Sequence, residues 1–85
     1  MDNELKIFMA RSRVRLDVLK FLAAEPQIAS FLAKKMKKHR ETVSRIFLEL
    51  QKHGLAACVN PDTPSFRIYE ITEKGEKALM EFREL

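Results

Sequence analysis

Eighty-five residues suffice for one domain with one modest core, because a chain of this size buries only about 60–65% of its unfolded surface. The composition, 46% apolar and 33% charged, is that of a globular protein, and no apolar run approaches the ~18 residues of a transmembrane helix. A net charge of +4 and a pI near 9.5 leave nucleic acid or an acidic membrane surface as partners, while the single cysteine, Cys58, excludes an intramolecular disulfide and a cysteine cluster for zinc.

Asp2 to Met9 places Leu5, Phe8 and Met9 at helical spacing and predicts a short first helix. Asp2 and Glu4, with no apolar stretch before a small-residue cleavage site, do not read as a secretory signal, so a cytoplasmic location is expected. Ser12 is placed to cap a second helix, with Leu16, Leu19, Phe21 and Leu22 on its apolar side and Arg11, Arg13, Arg15 and Lys20 interleaved. Pro26 stops that helix, since the residue before a proline is pushed out of the helical region.

Ile28 to Lys37 reads as a third, short helix with Phe31, Leu32 and Met36 apolar, and the pattern breaks at Lys38 and His39. A fourth helix runs from Arg40 to His53. Val43, Phe47 and Leu50 form its buried stripe, Ile46 lies beside them, and Gly54 stands at the C′ position. Leu55–Val59 and Phe66–Ile71 are rich in β-branched and aromatic residues and predict two strands. The segment between them, Asn60 to Ser65, holds two prolines and is a stiff turn. Thr72 can cap a last helix, Glu73 to Leu85, with Ala78, Phe82 and Leu85 in register.

The expected fold class is therefore α+β, mostly α. A short helix, a tight turn, a basic helix and a hairpin describe a winged helix-turn-helix with a two-stranded wing and flanking terminal helices, in a single domain 1–85.

The charge is concentrated. From Lys34 to Arg45 six cations stand against Glu41, a net +5, so the rest of the chain sums to −1. This basicity opens the most regular amphipathic helix, which suits a grooved polyanion, and double-stranded DNA is the expected partner. Arg40, Glu41, Thr42, Ser44 and Arg45 are best placed to reach bases from recognition helix 40–53. An arginine bidentate to guanine discriminates by ~1–3 kcal/mol. Lys34, Lys35, Lys37, Lys38 and His39 are expected on phosphates, giving register rather than sequence information. In the free protein Glu41 is expected to pair with Arg45 one turn on. Leu48 is an apolar residue on the outward face. In wing 59–67, Arg67 is the basic residue, Asn60, Thr63 and Ser65 are hydrogen-bonding candidates, and Asp62 opposes phosphate approach.

Leu5, Phe8 and Met9, with Leu79, Phe82 and Leu85, are the candidate dimer interface, since two half-sites supply affinity that one helix-turn-helix lacks. His39 and His53 have neither the spacing nor the company of a metal site. With only Gly54 and Gly75 there is no phosphate loop, and no nucleophile or acid–base constellation is visible. No enzymatic activity, cofactor or small-molecule effector is expected.

Ser30 to Ala56, SFLAKKMKKHRETVSRIFLELQKHGLA, resembles the helix-turn-helix of the MarR and ArsR superfamilies of prokaryotic repressors. The matching pieces are Leu32 to Met36, Thr42 to Arg45, Leu50 and Gly54–Leu55, and Tyr69 to Gly75 is similar to the family's junction of second wing strand and last helix. The resemblance covers about Ser12 to Met80. It implies a homodimeric transcription regulator on a palindromic operator, associated with the nucleoid. Arg40, Glu41, Thr42, Ser44 and Arg45 would make its base or backbone contacts, with Arg67 on the wing. The family's turn usually has Gly, an apolar residue, then Ser or Thr; Lys37, Lys38 and His39 stand there instead. Loss of the glycine and the cap is expected to strain or reshape the turn. The ArsR metal-sensing cysteines are absent, and the small size looks most like minimal winged-helix proteins of archaea and their viruses. Two other readings are a protein-binding winged helix of a transcription or repair assembly, through Leu48 and Phe31, and a sequence-neutral chromatin protein with a steep salt slope.

Overall fold

The computed structural model describes residues 3–83, in which five helices and one three-stranded antiparallel sheet give an α+β, mostly helical architecture. Helix α1 (Asn3–Ala10) buries Leu5 and Met9. Ser12 then caps α2 (Arg13–Ala24), its hydroxyl accepting from the Arg15 amide at 3.2 Å.

After Pro26 the chain is extended. Gln27–Ile28 form strand β1 and pair with Tyr69 and Ile68 of strand β3 (Ile68–Ile71), so helix α3 (Ala29–Met36) starts one residue later than its apolar pattern predicts. The sheet thus has three strands in the order β1-β3-β2, with β2 (Ala56–Cys58) on the other side of β3, rather than the two strands expected. Two residues carry no periodicity, which hides β1 in the sequence. Gln27 is buried although polar, and its Nε2 donates to the Phe21 carbonyl at 3.2 Å.

Helix α4 (Arg40–Lys52) buries Val43, Ile46, Phe47 and Leu50 against Val18, Leu19 and Leu22 of α2 and Leu32 of α3, and the Phe47 ring lies 4.8 Å from that of Tyr69. Gly54, with φ +75°, ends α4 in a Schellman arrangement: its amide donates to the Gln51 carbonyl and the Leu55 amide to the Leu50 carbonyl, each at 2.9 Å. The strands are shorter than the β-rich runs predict, because only 56–58 and 68–71 are paired.

Thr72 closes the sheet onto helix α5 (Glu73–Arg83). Its hydroxyl donates to the Gly54 carbonyl at 2.6 Å and accepts from the Gly75 amide at 3.0 Å. Gly75 is required by proximity, since a Cβ there would collide with the Leu55 carbonyl and lie 2.7 Å from Ile71 Cγ1. Leu85 and the end of the expected last helix lie outside the described residues. No helix among them is long and apolar enough to cross a membrane.

Candidate nucleic-acid interface

The turn between α3 and α4 positions the cations. Lys37 takes the left-handed conformation, φ +56°, where a glycine is usual. Its amide donates to the Lys34 carbonyl at 3.3 Å and that of Lys38 to the Ala33 carbonyl at 2.9 Å, the same Schellman closure that ends α4. His39 is the N-cap of α4 but makes no side-chain cap bond. The turn therefore carries a strained left-handed Lys37 and a helix start with no side-chain cap. A non-glycine residue in this region costs about 1 kcal/mol and an absent cap a similar amount.

This turn leaves Lys34, Lys35, Lys37, Lys38, His39 and Arg40 all exposed. Lys35 Nζ lies 3.7 Å from Glu25 Oε1, an exposed pair that salt screens. On α4 Glu41 and Arg45 are exposed, while Thr42 and Ser44 are half-buried.

Arg45 pairs with Glu49, Nε to Oε1 at 3.8 Å, and not with Glu41 as expected. The reason is tertiary. Glu49 Oε2 accepts from Arg15 Nη2 at 2.6 Å, which fixes that carboxylate one turn beyond Arg45. Arg15 also donates to the Phe8 carbonyl at 2.9 Å and lies 4.1 Å over the Phe8 ring, whose centroid is 4.0 Å from that of His53. The central basic residue of α4 is thus tied through Glu49 to α1 and α2. Arg15 and Glu49 are 34 positions apart, and no local pattern joins them.

An open cleft of about 520 Å³ separates α4 from the loop joining β2 to β3. Arg40, Ser44 and Leu48 line one wall, and Ser65, Phe66 and Arg67 the other. Tyr69 borders it from the sheet. Burial pushes the Tyr69 phenol up, Cys58 acts in the same sense, and the Arg67 guanidinium opposes both, so the group presents a neutral hydroxyl.

The loop corrects one expectation. Asn60 is occupied internally: its Oδ1 accepts from the Ile68 amide at 2.7 Å, and its Nδ2 donates to the Phe66 carbonyl at 3.4 Å. Its side chain holds the loop together and is not directed at a partner. Thr63 is half-buried, and its carbonyl accepts from Arg67 Nε at 2.9 Å, leaving the exposed arginine steadied beside the cleft. Ser65 is exposed. Phe66, which reads as a strand residue in the sequence, is instead an exposed loop residue with φ +56°.

The expected dimer residues also change. Leu5, Met9 and Leu79 are each at most 5% exposed and belong to the chain's own core. Short terminal helices in so small a chain have no other apolar surface to cover. Phe8 and Phe82 are half-buried against that core, and Leu85 lies outside the described residues. Among the described residues no three His, Cys, Asp or Glu side chains come together as a metal site requires.

The family model described as the HVO_A0261 N-terminal domain matches residues 4–85, and the chain belongs to that family. No curated protein and no solved structure matches the chain.

Proposed function

We propose that this member of the HVO_A0261 N-terminal domain family is a winged helix-turn-helix protein that binds double-stranded DNA sequence-specifically and regulates transcription. In this reading α4 enters the major groove, the β2–β3 loop is the wing on the adjacent backbone or minor groove, and the chain acts in the manner of the MarR and ArsR repressors that its helix-turn-helix segment resembles. The observation that carries it is the exposure of all six cations of the Lys34–Arg45 stretch on the end of α3, the turn and α4. Arg67 extends that basic surface across the cleft. The weak pairs of Lys35 with Glu25 and Arg45 with Glu49 offset little of the cluster's mutual repulsion, while a duplex phosphate array neutralises it.

Base contacts fall to Arg40, Ser44 and Arg45, with Glu41 and Thr42 alongside. Lys34, Lys35, Lys37, Lys38 and His39 meet phosphates. The protein would act as a homodimer on the nucleoid. Ile7 and Met80, exposed on α1 and α5, replace the buried Leu5, Met9 and Leu79 as candidates for contact with a second copy. Selection from a randomised duplex pool is the test. A recovered inverted repeat supports the reading, and a pool unchanged after several rounds contradicts it.

Leu48, 55% exposed in the middle of the outward face, favours a second reading in which this face docks a protein. Duplex binding abolished by charge reversal at Lys37 and Lys38 decides against that reading.

A further inference from the structure

Phe66 has a conformation and an exposure that the folded monomer does not reward. Its φ of +56° lies in the left-handed region, where a large aromatic residue is a true outlier. The residue is 64% exposed, so little burial offsets the strain. The surroundings hold the strain in place. Asn60 grips the Phe66 carbonyl and the Ile68 amide, Arg67 Nε grips the Thr63 carbonyl, and Pro61 and Pro64 stiffen the chain before it. Over-determined strain of this kind gathers where a loop meets a ligand.

The ring leans towards Phe31 of α3, with centroids 6.5 Å apart, and borders the cleft opposite Leu48. Charge decides what meets this apolar ridge. Arg67 adjoins it and Arg40 faces it across the cleft, so the complementary partner is polyanionic. An exposed ring flanked by a serine and an arginine on a stiff hairpin has the chemistry of a minor-groove wedge.

We propose that Phe66 enters the minor groove beside the segment held by α4, partly unstacks one base step and bends the duplex. This rests on the reading of the chain as a duplex-DNA binder. Pyrimidine–purine steps unstack most easily, so the wedge adds a shape preference that involves no hydrogen bond to a base.

The test uses a site selected from random duplexes, flanked either by TA steps or by A-tracts and labelled at both ends with a dye pair. Wild type, Phe66→Ala and Phe66→Gly are titrated against both. Wild type is expected to raise end-to-end energy transfer and to prefer the TA-flanked duplex by about tenfold. Both variants are expected to lose the transfer change and to bind the TA-flanked and A-tract duplexes with one affinity. Phe66→Gly fits the left-handed backbone and is expected to melt at a higher temperature than wild type, so its loss of bending cannot come from unfolding. Variants that bend DNA as wild type does overturn the wedge and leave DNA binding standing. Failure of all three proteins to bind either duplex at low salt overturns the DNA reading, and the wedge with it.

Discussion

Arg45 illustrates how a residue's partner is chosen by tertiary contacts. An isolated helix favours Glu41 to Arg45, with the acid on the N-terminal side. Here Arg15 has already fixed Glu49, and Arg45 turns to it. The Arg45 side chain is 70% exposed, so this pairing is weak and, in the proposed complex, would yield readily to a base. The Arg15–Glu49 contact is the stronger one, with side chains 21% and 27% exposed. Arg15→Ala leaves Glu49 only its weak contact with Arg45 and empties the space over Phe8, and should cost about 1–2 kcal/mol in urea unfolding, less than a fully buried pair. Arg15→Lys should recover little of it, because an ammonium cannot reach the Phe8 carbonyl and Glu49 with one planar fork.

Lys37 separates folding from binding within one side chain. Lys37→Gly removes the strain of φ +56° and should stabilise the fold by about 0.5–1 kcal/mol. The same change should weaken duplex binding uniformly across sequences and lower the salt slope by about 1. Urea midpoints and salt titrations on one preparation check both signs.

At the scale of elements, α2 and α4 were legible because each has a period and a marked end, Ser12 and Pro26 around α2 and Gly54 after α4, whereas α3 was legible by its apolar spacing alone. The turn was legible by comparison with a pattern it breaks, and Lys37 occupies the backbone position a glycine usually holds. Strand β1 was not legible, since its pairing partner lies 40 residues on and two residues show no alternation. Nor was the loop role of Asn60, whose side chain meets Phe66 and Ile68 only once the hairpin closes. The junction of sheet and α5 depends on Gly75. Gly75→Ala drives a methyl into the Leu55 carbonyl and Ile71, and should destabilise by about 2–3 kcal/mol as overpacking does, read as a lowered melting temperature. Duplex affinity measured well below that temperature should be unchanged, because the turn and α4 lie outside the junction.

Across the whole molecule, the terminal helices show where sequence patterning misleads. Leu5, Met9 and Leu79 have the spacing of an interface, but a chain this small needs them for its own core. Charge placement is more transferable, because cations concentrated in one segment stay exposed wherever that segment folds. Lys34, Lys35, Lys37 and Lys38 on four phosphates predict a salt slope of about −3.6 per chain.

The most direct measurement is fluorescence anisotropy of wild type and Arg45→Ala with a selected duplex and a random one, at several salt concentrations. The account predicts that the selected duplex binds at least about a thousandfold more tightly. It also predicts that Arg45→Ala cuts that preference by about tenfold to a hundredfold, and that both proteins bind random duplex alike with the same salt slope. Equal affinity for both duplexes, unaffected by Arg45→Ala, would contradict it.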